Sequence, residues 1–269
     1  MATTAILGVG SMGQAILEGL LGSDSFNDDV VVVVRKPERA LELQDVYGVK
    51  NLPIAEGAKA ETLILTAKPQ DMAKMVAEVA PHVNAGTLVI SVAAGITTKS
   101  IESQLPTGVS VVRVMPNTPS LVGEGMSVLS PGVSATKEAL TKAEAAMACI
   151  GKTLVVDENL QSSVTGVSGS GPAYIFYIAE AMIAAGEKLG LTAEQSNALT
   201  IQTIFGAAKL LRESNDSPEI LRKKVTSPNG TTAQAISRFE EAELNRVFSE
   251  AMKASHDRSI EMSKEFCGE

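Results

Sequence analysis

The sequence has no tryptophan, three tyrosines, six phenylalanines, two cysteines and two histidines in 269 residues. So few aromatic rings exclude stacking on nucleic-acid bases as its main business. Cys149 and Cys267 stand far apart with no CxxC or metal-like spacing, so they read as structural thiols, and no metal is expected. Positive charge is missing from the start of the chain, where the first Lys or Arg is Arg35, and no apolar run approaches the roughly 18 residues of a membrane span. The expectation is a cytoplasmic protein without a membrane partner. A formal net charge of −8 also disfavours nucleic acid as a partner. What remains is an ordinary globular composition, 45% hydrophobic and 20% charged, with length enough for two domains.

Glycine carries most of the information in the first half. Thr3 to Val9 is a short β-friendly run that passes into Gly8, Gly10 and Gly13, followed by apolar helical spacing at Ala15, Ile16, Leu17 and Leu20. Strand, tight turn and helix in that order frame a dinucleotide-binding fingerprint. One glycine permits the turn, the next lets the backbone approach a pyrophosphate, and the third lets helix pack on strand, while the helix start supplies amides. The next strand, Val30 to Val34, is five valines, as suits a parallel strand covered on both faces. At its end, where NAD-preferring folds place an acidic residue, stand Arg35 and Lys36. Two cations suit a 2′-phosphate, so NADPH is expected to be preferred, with NADH as the alternative.

Alternation continues through a helix from Pro37 to Tyr47, a strand from Thr62 to Thr66, a helix from Gln70 to Val79, a strand from Thr87 to Ser91, a helix from Lys99 to Leu105 and a strand from Val109 to Val114. A strand near Gly125 to Leu129, a helix within Thr136 to Ile150 and a strand from Thr153 to Val156 complete a doubly wound α/β domain over residues 1–158. Ligands of such sheets lie at the carboxyl ends of strands. That singles out Thr66, Ala67, Lys68 and Pro69, the run from Ser91 through Val92, Ala93 and Ala94 to Gly95, and the run from Arg113 to Pro119. Small residues at 92 to 95 admit a flat nicotinamide or ribose, and Pro116 and Pro119 stiffen a loop that presents Asn117. Lys68 reads as a ribose-binding or positioning residue, with proton donation as the rival role.

From Glu158 onward the patterns are helical: Glu158 to Val167, Pro172 to Leu189, Ala193 to Glu213, Pro218 to Val225, and one helix from Thr232 to the vicinity of Glu265. The helix at 172 to 189 is apolar on nearly every face, which a soluble monomer of this size rarely buries, so an intertwined homodimer is expected. Two helix starts suit an anion or a close backbone approach. Ser168-Gly169-Ser170-Gly171-Pro172 is one; Ser227-Pro228-Asn229-Gly230-Thr231-Thr232 is the other and the better carboxylate site, with a capped turn holding no ligand as the alternative.

At these residues the chain resembles the pyrroline-5-carboxylate reductase family. The likeness runs nearly full length through GVGSMG at 8 to 13, AKPQ at 67 to 70, SVAAG at 91 to 95, VRVMPNTP at 112 to 119, SGSGPAY at 168 to 174 and VTSPNGTT at 225 to 232. It implies a Rossmann-type domain, an all-helical dimerisation and substrate-binding domain over residues 159–269, and a homo-oligomer built on dimers in which one subunit's cofactor faces helices of its partner. It implies NAD(P)H-dependent reduction of 1-pyrroline-5-carboxylate to L-proline. Carried over by residue, cofactor contacts fall on Leu7, Gly8, Val9, Gly10, Ser11 and Met12, on Thr66 to Pro69, and on Val92, Ala93 and Ala94. Substrate contacts fall on Gly230, Thr231 and Thr232, with the Thr232 hydroxyl near the ring nitrogen as the catalytic contact. This chain departs from the family pattern at Asn229, where a Gly is usual, at Ala55, where an Asn often touches the cofactor, and at Lys223 and Lys224, where an Asp is frequent.

A protonated cyclic imine is already an electrophile, so such an enzyme needs orientation and dryness more than a base. That agrees with the placement of His82 and His256, neither beside a candidate loop. A related hydroxyacid dehydrogenase would need a base, commonly a Lys on a second-domain helix, and the helix at 172 to 189 has none before Lys188. A related imine reductase and a non-catalytic NADPH-binding sensor are the remaining rivals on the same fold.

Overall fold

Residues 3 to 268 are described in the computed structural model. The apolar runs of the first half pair into one eight-stranded sheet: β1 (Thr3–Leu7), β2 (Asp29–Val33), β3 (Lys50–Asn51), β4 (Thr62–Leu65), β5 (Leu88–Ser91), β6 (Ser110–Met115), β7 (Gly125–Pro131) and β8 (Gly151–Val155). Their order is β3-β2-β1-β4-β5-β6-β7-β8. All pairs are parallel except β6 with β7, where Arg113 faces Ser130 and Val114 faces Leu129. The chain leaves β1 to build β2 and β3 on one side, then returns to build β4 on the other. The carboxyl end of β1 is therefore a topological switch point, the place where ligands bind in doubly wound sheets.

Period-two alternation sorts the strand residues into two cores. Ile6, Ile64, Ile90, Val112 and Leu129 pack on one face with Ile16, Leu17 and Leu20 of α1 (Ser11–Leu21) and with Ala143, Ala146 and Met147 of α6 (Lys137–Ala148). Ala5, Leu7, Leu63, Leu65, Val89 and Val111 pack on the other with Met72, Val76 and Val79 of α4 (Pro69–Val79). Local chemistry sets the helix ends. Pro37 and Pro69 open α2 (Pro37–Tyr47) and α4, Gly48 closes α2 at φ 69, and the hydroxyls of Thr97 and Thr136 cap α5 (Thr98–Glu102) and α6.

Two small elements between Gly48 and Thr62 lie outside the alternation read from sequence: β3 and a single turn, α3 (Ile54–Gly57). Neither has hydrophobic periodicity. A polar side chain anchors β3 instead, Asn51 accepting from the Val34 amide at 2.9 Å and donating to the Val34 carbonyl at 3.4 Å.

The helical half comprises α7 (Gln161–Val164), a π-helical turn at Thr165–Gly169, α8 (Gly171–Lys188), α9 (Ala193–Glu213), α10 (Pro218–Lys224), α11 (Thr231–Glu241) and α12 (Leu244–Cys267). Thr192 and Gln195 form a capping box at the start of α9. Two expectations are corrected. The single last helix is two, because Glu243 takes the left-handed conformation at φ 52 and α12 restarts at Leu244. The run Ser168 to Pro172 is no free helix start, because the π turn carries the backbone straight into α8, with the Ser170 amide bonded to the Thr165 carbonyl at 2.8 Å.

Compactness divides the chain after Ser170, twelve residues past the boundary at 158 read from sequence, and returns Ala254 onward to the first unit; Gly171–Lys253 form the second. No helix among the described residues is long and apolar enough to cross a membrane.

Candidate active site

The glycine loop lies at the switch point and is held from three directions. Gly8, at φ 81, donates to the Val33 carbonyl at 3.0 Å, and Gly10 donates back to the Gly8 carbonyl at 2.7 Å. The Thr66 hydroxyl, at the end of β4, donates to the carbonyl of Leu7 at 3.0 Å or of Gly8 at 2.5 Å. Each glycine has its own reason. A Cβ on Gly13 would meet the Thr66 Oγ1 at 2.7 Å, so Gly13 is what lets α1 lie on β4, whereas a Cβ on Gly10 would meet nothing within 4 Å. Gly10 is spared a side chain for something that is not protein.

That space fits a dinucleotide pyrophosphate. No side chain caps the start of α1, and its first turn, with Ser11, Met12 and Gly13, holds no acidic residue. The leading amides and the positive helix end therefore face outward for an anion.

The neighbouring strand ends fall on the same edge of the sheet. Thr66 and Ala67 follow β4, then Lys68 stands exposed at the N-cap and Pro69 at the first position of α4. Val92, Ala93 and Ala94 follow β5, with the Val92 amide bonded to the Leu65 carbonyl at 3.1 Å. Gly95 holds φ 76, with the Met262 backbone 3.4 Å from where a Cβ would stand. Asn117, expected at the cofactor, is anchored within its own loop. Its carboxamide accepts from the Met126 amide at 2.9 Å and donates to the Ser168 carbonyl at 3.1 Å, so it ties the loop after β6 to β7 and to the π turn. Arg113 also turns away from the expected loop: its side chain is 5% exposed and pairs with Glu158.

After β2, Arg35 and Lys36 are both exposed, Lys36 as the N-cap of α2 and Arg35 in an ion pair with Glu78 at 2.6 Å. A third cation beside them has no counterpart in the sequence reading. Arg39, half-buried, donates from Nη2 to the Gln14 carboxamide at 2.7 Å and from Nε to the Val9 carbonyl at 3.4 Å. Gln14 in turn donates to Tyr47 and Glu18. The Tyr47 hydroxyl, and then Gln14, hold the Glu18 carboxyl below its ordinary range, and the same bond raises the Tyr47 phenol. A lone arginine one turn into α2 carries no periodic signal, which is why only the structure reveals it.

In the second unit, Asn229 holds a left-handed φ of 57 and Gly230 becomes the N-cap of α11. The turn closes through the Gly230 amide to the Ser227 carbonyl at 3.0 Å, and a Cβ on Gly230 would collide with Ser227 Oγ. No side chain caps α11 and no acidic residue lies in its first turn, so the amides at Thr231 and Thr232 and two hydroxyls start the helix. Nearby, Lys223 and Lys224 pair with Glu219 and Asp216.

A parallel sheet with a glycine loop at its switch point, a helix start for pyrophosphate and a helical second half define a pyridine-nucleotide-dependent oxidoreductase. The family described as pyrroline-5-carboxylate reductase dimerisation matches residues 158–262, and that described as NADP oxidoreductase coenzyme F420-dependent matches residues 3–95. The pyrroline-5-carboxylate reductase of Corynebacterium melassecola is 37% identical over 98% of this chain and 100% of its own length. Pyrroline-5-carboxylate reductase 1 of Bacillus subtilis is 36% identical over 97% of this chain and 89% of its own. The solved pyrroline-5-carboxylate reductase of Coxiella burnetii superposes with a TM-score of 0.92 at 36% identity, covering 98% of this chain and 99% of that one. The chain belongs to the pyrroline-5-carboxylate reductase family.

Proposed function

We propose that this protein reduces 1-pyrroline-5-carboxylate to L-proline, the last step of proline biosynthesis, with NADPH ahead of NADH. The observation that carries the reading is the pair of bare helix starts, one behind Gly10 and one behind Gly230, each lacking an acidic residue and a side-chain cap. Residues 1–158 act as the nucleotide-binding domain and 159–269 as the dimerisation and substrate domain of a cytoplasmic homodimer.

In this reading Leu7 to Gly13 receive the pyrophosphate on backbone amides, while Thr66 to Pro69 and Val92 to Ala94 line the ribose and nicotinamide. Arg35 and Lys36 take the 2′-phosphate, Arg35 exchanging Glu78 for it. Asn117 contributes by fixing the loop on which it stands. The amides at Gly230, Thr231 and Thr232 hold the substrate carboxylate, a charge-assisted arrangement at a helix start. When bound, the nucleotide supplies a hydride to C5 of the protonated imine, whose C=N electron pair moves onto the nitrogen that already carries its proton. The Thr232 hydroxyl accepts from that N–H and keeps the developing amine oriented. No step calls on a side-chain base, in keeping with His82 and His256 lying outside these loops.

The test is oxidation of NADPH and of NADH by purified protein, followed by nicotinamide absorbance with and without pyrroline-5-carboxylate. Imine-dependent oxidation faster with NADPH is expected. Faster NADH would retain the activity and remove the phosphate role of Arg35 and Lys36. Nucleotide binding without imine-dependent oxidation would overturn the activity in favour of a hydroxyacid dehydrogenase or a sensor.

A further inference from the structure

Within the first unit a cleft of about 460 Å³ opens between α5, the end of β6 and the last turns of α12, lined by Thr97, Arg113, Glu158, Ser162, Ser263 and Lys264 among others. The proposed reaction uses none of these side chains. Arg113 is the informative one, because its side chain is 5% exposed and yet its single partner is Glu158 Oε1, reached by Nη1 at 3.2 Å. That is long for a charge-assisted bond. Glu158 is committed elsewhere, accepting from the Thr98 amide at 2.8 Å and the Thr98 hydroxyl at 2.6 Å. No other side-chain partner of the guanidinium is seen among the described residues, and Arg113 lines the wall of the cleft.

The rim adds Lys264, so a second cation stands beside the Arg113–Glu158 pair in a chain whose net charge is −8. The Ser162 hydroxyl adds a donor to the lining, while those of Thr97 and Ser263 are engaged with Cys267 Sγ and the Ser259 carbonyl. Both walls also reach the segment that follows β5. Cys267, in the last turn of α12, bonds the Gly95 carbonyl at 3.4 Å and accepts from the Thr97 amide at 3.4 Å, and Met262 packs against Gly95.

We propose that this cleft binds a small oxyanion, of the phosphate or carboxylate class, as an effector of nucleotide binding. The anion bridges Arg113 to Lys264 and draws α12 toward α5. Because Gly95 and Thr97 bond to the same turns of α12, its occupancy changes the affinity at Val92 to Ala94. The coupling, though not the binding, rests on the nucleotide reading above.

The experiment is calorimetric titration of NADPH-saturated protein with inorganic phosphate and, separately, acetate, against chloride at matched ionic strength, on wild type and Lys264→Glu. Lys264 is exposed and outside the nucleotide and substrate loops, so the variant keeps its fold. Saturable binding of one anion per chain is expected, weakened by about tenfold or more in Lys264→Glu, as befits loss of a charge-assisted contact. The stronger of the two anions assigns the class. In wild type that anion shifts the NADPH dissociation constant by about fivefold, within the usual range of coupling, and in Lys264→Glu it does not. Absence of saturable binding overturns the site, as does binding that survives Lys264→Glu, which would put the anion elsewhere, as on the Gly230 turn. Anion binding without a change in NADPH affinity overturns the effector role. NADPH binding measured without added anion tests the nucleotide reading separately.

Discussion

Gly10 and Gly13 stand three residues apart in one motif and answer to different physics. The Cβ of alanine at 13 would stand 2.7 Å from Thr66 Oγ1, so Gly13→Ala pushes α1 off β4, an overpacking that costs about 1–3 kcal/mol. Alanine at 10 meets no protein atom within 4 Å, and the Gly10 φ of −87 suits it. Gly10→Ala is therefore expected to unfold thermally like wild type and to lose NADPH affinity, whereas Gly13→Ala loses stability first. Calorimetric melting beside nucleotide titration separates the two, and a melt lowered equally in both would refute the assignment. Thr232 belongs to the same scale. Thr232→Ala removes a hydroxyl at a helix start whose backbone is kept by Gly230 and Ser227, so turnover should fall by about tenfold to a few hundredfold, the range for one transition-state hydrogen bond. Its NADPH dissociation constant should stay as in wild type, and unchanged turnover would remove Thr232 from the chemistry.

At the scale of elements, the junction of α11 and α12 invites a test because a glutamate holds φ 52 there. The left-handed conformation costs a non-glycine residue about 1–2 kcal/mol, while glycine adopts it freely at some expense in the unfolded chain. Glu243→Gly also loses the bond from Arg246 at 3.2 Å, an exposed contact of small worth. The net expectation is a melting temperature equal to or slightly above wild type, and a clear loss would show that the break depends on the glutamate side chain. This junction also marks the limit of what sequence makes legible. Burial writes apolar runs into β1, β2 and β4, capping chemistry marks the start of α9, and composition reveals the two turns because Gly and Asn suit positive φ. The break at Glu243 carries no such mark: no Gly or Pro stands there, and the charged pattern of 238 to 250 fits one helix as well as two. Asn51, Arg39 and Arg113 are illegible for a related reason, since a single long polar side chain finds its partner through tertiary structure. The site motifs are readable because backbone geometry alone fixes them.

At the scale of the whole molecule, α8 leaves an uncovered apolar surface on the isolated chain. None of its residues is buried, and Phe176 and Tyr177 are 61% and 73% exposed on a helix whose sequence is apolar on nearly every face. Phe205 of α9 is 62% exposed as well. Patches of this kind on a folded chain mark an interface, and the match of residues 158–262 to a dimerisation family names the occupant, a second copy of the same chain. Burying one phenylalanine is worth about 1.5–3 kcal/mol, and a C2 interface counts each substitution twice. Phe176→Glu would place a carboxylate in that interface and confront it with its symmetry mate. The variant is expected to sediment as a monomer at concentrations where wild type is dimeric, and to retain NADPH affinity because Leu7 to Gly13 and the strand ends around them lie in the other unit. Wild type with the mass of a single subunit at micromolar concentration would leave these rings without a partner and overturn the dimer. If the variant monomer binds nucleotide but no longer reduces the imine, then the carboxylate turn at Gly230 depends on pairing of the chains, and the helical half serves the reaction as an assembly and not merely as a scaffold.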